Sequence, residues 1–138
     1  MFFFSKQKTA YEIGPCDWSS DVCSSDLEVL RAAALAGVPL VVTENGAAET
    51  DDRRKIAFMK DHLRVVLRLR REGIDLRGYF WWSLMDNYEW LEGLRPRFGL
   101  YRVDFATLER TSTAASAWFA RWVRRRRILE KDAGCPGS

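Results

Sequence analysis

VPLVVTENG, residues 38 to 46, is a short apolar run that stops on a carboxylate, and the fold turns on how it is read. Leu40, Val41, Val42 and Thr43 follow one another without polar alternation and include β-branched residues, the pattern of a strand buried on both faces. Upstream, EVLRAAALAG (28 to 37) reads as the end of a helix, rich in alanine and leucine, with Gly37 placed to close it in a left-handed conformation. Downstream, the polar stretch AAETDD (47 to 52) leads into RRKIAFMKDHLRVVLRLRREG (53 to 73). There Ile56, Met59, Leu63, Val66 and Leu67 recur at helical spacing and Gly73 supplies the stop.

The next apolar segment, Gly78 to Leu84, is aromatic and strand-like, and a loop containing Gly93 and Pro96 follows it. Gly99 to Phe105 predicts a short extended piece. Thr111 or Ser112 caps a final helix whose apolar face is Trp118, Phe119, Trp122 and Val123. Helix, strand, helix, strand, loop and helix in that order predict parallel strands joined by helical crossovers, an α/β layer or barrel. Two strands cannot complete such a fold, since a parallel sheet needs both faces covered and an eightfold barrel takes about 250 residues. The chain therefore reads as part of a larger architecture.

Residues 6 to 27, KQKTAYEIGPCDWSSDVCSSDL, show no hydrophobic period and hold two of the three cysteines. Cys16 and Cys23 are too widely spaced for a zinc knuckle, and only His62 and Cys135 remain as further ligands, so no metal site is expected. Read back into DNA, KQKTAYEI and CDWSSDVCSSDL resemble the fixed parts of a short-read sequencing adapter, with Gly14 and Pro15 where a variable index would lie. Residues 1–27 are accordingly expected to be a non-native, unstructured segment, excluded from fold reasoning. Residues 28–127 form the genuine folded part, and 128–138 a flexible tail.

Leaving out Met1 to Leu27 removes two lysines and four acids and raises the formal charge from +3 to +5. Most of the excess lies after Phe119, in Arg121, Arg124 to Arg127 and Lys131 against Glu130 and Asp132. Such a basic end can touch nucleic acid or an anionic membrane. It also suits the carbonyl-rich end of a helix, and neither nucleic-acid nor membrane partners are expected. No run approaches the length of a membrane span, and MFFF is too short for a signal peptide. Only Cys135 lies outside the excluded segment, which permits a reducing compartment, and a cytoplasmic location is the expectation. The oligomeric state is not legible.

The chemistry gathers at the ends of the two strands. In parallel α/β architectures, sites form at the C-terminal strand edge. Glu44 closes the first strand; it either caps a turn with Asn45-Gly46 or serves a site. At the end of the second strand come Trp82 and then Asp86-Asn87-Tyr88-Glu89-Trp90, carboxylates beside indole rings. A pyranose offers apolar C–H faces that tryptophan covers and hydroxyls that donate to a carboxylate. Tryptophan stripes also build cores, but a core rejects interleaved acids unless each is satisfied.

Together, VVTENGAA (41 to 48) and GYFWWSLMDNYEWLEGLRPRFGLYRVDFATLERT (78 to 111) resemble the C-terminal quarter of the family 1 glycoside hydrolases, the β-glucosidases and their relatives. The resemblance runs from about Glu28 to Trp122. It implies strands seven and eight, with their helices, of an incomplete (β/α)₈ TIM barrel. By motif, Glu44 matches the catalytic nucleophile, Trp82 the platform beneath the sugar, Glu89 the ligand of the 4- and 6-hydroxyls, Trp90 that of the 3-hydroxyl, and Phe98 the pocket wall near the 6-position. The implied substrate is a small or oligosaccharide β-glycoside, with no cofactor. A retaining glycosidase uses two carboxyls about 5–5.5 Å apart. The family's acid/base Glu lies in an upstream Asn-Glu-Pro motif that this sequence lacks, so the chain alone is expected to be inactive.

Three departures stand out: Trp81 for an aliphatic residue, Tyr88 for Phe, and Leu94-Arg95-Pro96 for the commoner Tyr-Ser-Lys. The first two are apolar exchanges that preserve the site. The third faces the leaving group and leaves the aglycone preference open. Glu89 would repel a 6-phosphate, which disfavours phosphorylated sugars. His62 is expected on the helix surface or in packing, and Arg97 to support the loop through a carboxylate such as Asp86. Two other readings stay open: a sugar-binding remnant without turnover, and a basic-tailed nucleic-acid binder.

Overall fold

A computed structural model describes residues 2–8 and 21–132. In chain order the elements are strand β1 (Phe2–Lys8), helix α1 (Asp21–Ala34), β2 (Leu40–Ala47), α2 (Asp52–Arg71), β3 (Leu76–Trp81), a single 3-10 turn (Trp90–Glu92), β4 (Tyr101–Val103), β5 (Arg110–Ser112) and α3 (Ala114–Asp132). Strands β1, β2 and β3 form one parallel sheet in that order, with Val41 opposite Gly78 and Asn45 opposite Trp81. β4 and β5 make a small antiparallel hairpin beside it.

The two crossover helices close as the glycines predict. Gly37 and Gly73 adopt φ of +66° and +89°, where a side chain would be strained. Asp51 starts α2 by accepting a hydrogen bond from the Arg53 backbone N–H. The buried stripe of α2 runs through Phe58, Met59, Leu63, Val65, Val66 and Leu69. Leu30, Leu40, Val42, Val65, Val66, Leu69 and Leu76 form one core, between α1, α2 and the sheet. Ala47, Phe58, Met59, Leu63, Trp81, Leu100 and Ala115 form the second, against which Trp118, Phe119 and Trp122 of α3 pack. Tyr79 touches both cores. At about 1.5–3 kcal/mol for each fully buried large side chain, these clusters hold the helices to the sheet.

The structure departs from the sequence reading at element ends. The second strand is Leu76–Trp81, so Trp82 lies just beyond it. α3 begins at Ala114 rather than after Thr111 or Ser112, because Thr113 is the residue whose Oγ1 accepts the Ser116 N–H. That hydroxyl also donates to the Leu100 carbonyl, tying the helix start to the second core. α3 continues to Asp132, beyond the limit expected at 127, and Cys135 lies outside the described residues.

Residues 1–27, expected to be unstructured, contain β1 and the first turns of α1. An unpaired edge of β2 offers backbone donors and acceptors to any extended segment, and a phenylalanine run suits a strand. Cys16 lies outside the described residues. Among the described residues no helix is long and apolar enough to cross a membrane.

Candidate active site

The ends of β2 and β3 are joined by their backbones. The Trp82 N–H donates to the Asn45 carbonyl at 3.1 Å. Gly46 lies so close to the Trp82 carbonyl that a Cβ there would collide with it. A glycine is thus required for this approach. Glu44, half-buried, precedes this junction by one residue, and Trp82, also half-buried, is part of it. Asn45 is buried and accepts a hydrogen bond from the Tyr79 hydroxyl on its Oδ1 at 2.7 Å. Burial holds the Tyr79 phenol protonated far above its ordinary range, and the nearby Asp26 carboxylate adds to this.

Beyond Trp82 the chain runs through a cis peptide bond to Ser83 and then turns. The Trp82 indole Nε1–H donates to Glu89 Oε1 at 3.2 Å, so this indole and the acid seven positions later already touch. Glu89 and Trp90 sit at the head of a tight turn, closed by the Glu89 N–H donating to Gly93 O at 2.8 Å and the Gly93 N–H to Trp90 O at 3.1 Å. Trp90 has a φ of +46° and is 83% exposed. Phe98 is 2% exposed; its carbonyl accepts from Trp81 Nε1 at 3.0 Å and from the Ser83 N–H at 3.4 Å. The segment after the turn is thereby fastened back onto the end of β3.

Asp86 is the buried hub of this loop. It accepts from the Gly99 N–H at 3.0 Å, the Val103 N–H at 3.3 Å and Arg97 Nη1 at 3.0 Å. Arg97 also donates to the Val103 carbonyl and lies over the Phe105 ring at 4.9 Å. The expectation that Arg97 supports the loop through Asp86 is met.

Lys55 was not singled out by sequence reading. It is 3% exposed, and its Nζ donates to the carbonyls of Arg97 at 3.0 Å and Gly99 at 2.8 Å. Burial lowers its pKa from the ordinary lysine range, against the opposing pull of Asp86. Its position four residues before Met59, on the apolar stripe of α2, was the available signal: a cation at a core position needs acceptors. The helix that follows the Glu44 strand thus holds the loop that follows the Trp82 strand.

His62 proves to be a packing residue. It is buried, stacks on Phe58 at 3.9 Å, contacts the Phe58 carbonyl through Nδ1 at 2.8 Å, and places Nε2 2.9 Å from Asp26 Oδ2. That pairing joins α1 to α2, away from the strand ends.

Four of the five singled-out residues thus cluster at one edge of the sheet: Glu44 and Trp82 on adjoining strand ends, Glu89 on the Trp82 indole, and Trp90 next in the turn. Phe98 is buried just behind them. A carboxylate close to an indole and a second acid suits the hydroxyls and the apolar C–H face of a sugar ring.

Known proteins resemble this chain in sequence and fold. The model of the family described as glycosyl hydrolase family 1 matches residues 16–128, a span that begins upstream of Glu28. β-Glucosidase 47 of Arabidopsis thaliana is 42% identical over 104 residues, which are 71% of this chain and 19% of that protein. The bifunctional β-D-glucosidase/β-D-fucosidase of Bifidobacterium breve is 43% identical over 100 residues, 63% of this chain and 22% of that protein. Among solved structures, a β-glucosidase of Exiguobacterium antarcticum B7 superposes with a TM-score of 0.76 at 32% identity, over 84% of this chain and 29% of that one. A β-glycosidase of Pyrococcus horikoshii gives 0.67 at 41% identity, over 72% and 26%. The chain therefore spans about a fifth of the length of the curated relatives it matches, and its fold is a partial α/β piece of a TIM barrel without closure. A match over most of its length makes this chain a member of glycosyl hydrolase family 1.

Proposed function

We propose that this chain carries the nucleophile half of a retaining β-glycosidase site, with Glu44 as nucleophile, Trp82 as sugar platform, Glu89 and Trp90 as hydroxyl ligands and Phe98 as pocket wall. The observation that supports this most is the backbone junction of β2 and β3, which sets Glu44 beside Trp82, with Glu89 already on the Trp82 indole. In the reaction, a Glu44 carboxylate oxygen attacks the anomeric carbon while the glycosidic C–O bond breaks, and the leaving oxygen takes a proton from a second carboxyl. Water then attacks the same carbon and frees Glu44, giving its proton to that second group. The substrate is a terminal β-D-glucosyl or related residue, as in the β-glucosidases and the β-fucosidase named above. Glu89 disfavours a 6-phosphate by charge.

The proton donor is not among the residues identified in this chain, so the isolated chain should not turn over an aryl β-glucoside. Release of the aryl group at a rate above buffer, abolished by Glu44→Gln, would show that the chain supplies its own acid.

One observation favours a second reading, sugar binding without turnover: the Trp82–Glu89 contact and the exposed Trp90 are both formed within residues 82–90 of this chain. On that reading, titration with glucose shifts the tryptophan emission saturably and Glu89→Gln abolishes the shift. A flat titration removes it.

A further inference from the structure

The charges of this chain are sorted by layer. α2 holds eight basic residues against two acids and α3 six against two, an excess of ten positive charges. Residues 28–138 total +5, so everything in that span outside the two helices nets five negative charges, Glu44, Asp86, Glu89 and Glu92 among them. The helices lie side by side and run the same way. Asp52 Oδ2 at the start of α2 accepts the Ala114 N–H at the start of α3 at 2.8 Å, and further along both Lys60 Nζ lies 5.8 Å above the Trp118 ring. Arg53, Arg64 and Arg71 all fall within about 40° of Lys60 around the helix axis, a stripe about 27 Å long. On α3, Arg121 and Arg125 follow Trp118 at helical spacing on the same flank. All six cations are exposed; Arg64 pairs with Asp61, and the other five have no carboxylate partner among the described residues. Helix-end electrostatics does not account for the stripe. A cation suits the last turn, where Arg71 lies, but Arg53 sits in the first turn of α2, where the helix dipole opposes it. Lys60 and Arg64, four apart, repel each other, and a merely solvated face mixes its signs.

We infer that the outer face of α2 and α3 is a docking surface for an acidic polysaccharide, whose anionic groups lie along the stripe of arginines. Helices form the outer ring of a TIM barrel, so this face looks outward in a complete barrel as well. Other polyanions fit it less well. An anionic membrane is bound by helices that also insert apolar side chains, and none of the exposed large apolar residues lies on α2 or on residues 114–125. Single-stranded nucleic acid stacks its bases on open aromatic faces, but Lys60 covers Trp118, and Phe119 and Trp122 stack on each other against the second core. A duplex is read by an element that enters a groove, and two helices lying flat side by side cannot enter one. A flexible chain of carboxylates needs only charge along a line, which guanidinium groups match two hydrogen bonds at a time. The acids around Glu44 and Glu89 repel the same polymer from the strand ends, so it docks on the helices and leaves the sugar site free. The inference rests on the charge layout and not on the role of Glu44.

The test uses the full chain, below the concentration at which its light scattering rises, and reads the anisotropy of fluorescently labelled polygalacturonate at about 0.15 M salt. Binding is expected, weakening steeply as salt rises, with none to neutral dextran. Lys60→Gln, Arg64→Gln and Arg125→Gln together weaken it at least tenfold with the melting midpoint unchanged, since all three side chains are exposed. Arg110→Gln, which removes an exposed charge from β5, leaves it within about twofold. If the triple variant melts early, Arg53→Gln with Arg71→Gln, at the two ends of the stripe, puts the same question to other residues, and a tenfold loss there upholds the inference. No binding of polygalacturonate, equal binding of neutral dextran, or equal losses from Arg110→Gln and from the stripe variants overturns it. Tighter binding of a short DNA duplex or of phosphatidylserine vesicles at the same salt also overturns it, in favour of that partner.

Discussion

Tyr79 shows how one buried group couples the junction to pH. Its hydroxyl donates to Asn45, whose carbonyl in turn holds Trp82. Burial first, and the Asp26 carboxylate second, keep the phenol protonated in the folded chain, whereas the unfolded chain ionises near pH 10.0. Above that pH the unfolded state binds fewer protons than the folded one. The stability Tyr79 contributes is therefore complete below pH 10 and falls by up to about 1.4 kcal/mol per unit above it. Tyr79→Phe loses the hydrogen bond, about 1 kcal/mol at neutral pH, but escapes that decline. Urea unfolding of the two proteins as a function of pH should show the curves meeting near about pH 11. Parallel curves through that range would contradict the buried phenol. The apolar neighbours of Tyr79 were legible from strand periodicity, but its partner was not, because Asn45 lies on another strand.

Among the elements, the loop from Trp82 to Gly99 is held by a buried acceptor of its own, Asp86, and by a donor supplied from outside it, Lys55. Asp86 satisfies two buried backbone N–H groups and one guanidinium, and Lys55 of α2 satisfies two carbonyls. Leaving a buried donor unpaired costs about 1–3 kcal/mol, while an ion pair whose arginine stays partly open to water contributes about 1 kcal/mol or less. Asp86→Ala should therefore destabilise the chain by about 2–4 kcal/mol, and Arg97→Ala by clearly less, as measured by the shift in urea midpoint. Equal losses would mean that the ion pair, not the backbone N–H groups, is what Asp86 is there to serve. The helices and parallel strands were readable from period and glycine stops. The β4–β5 hairpin was readable only in its first strand, since Arg110–Ser112 carries no apolar pattern and forms by pairing with Tyr101–Val103.

At the scale of the whole molecule, a sheet edge open among the described residues and the exposed Phe80, Leu84, Trp90 and Leu91 give the chain a strong tendency to associate. Light scattering of the isolated protein should rise steeply with concentration. A sharp, concentration-independent melt of a monomer at high concentration would contradict this. The sequence alone determined the α/β order, the parallel strands and the family, because hydrophobic period, glycine stops and the TENG and WWSLMDNYEW runs are local properties of consecutive residues. It also singled out Glu44, Trp82, Glu89 and Trp90 through those same runs, and Phe98 through RFGL at 97 to 100. Tertiary structure alone decided that Gly46 must let the Trp82 carbonyl in, that Lys55 and Asp86 anchor the loop, that His62 meets Asp26 rather than solvent, and that Phe98 is buried behind the site. Each of these joins residues distant along the chain, and a contact of that kind is set by how helices and strands pack, which no local pattern encodes.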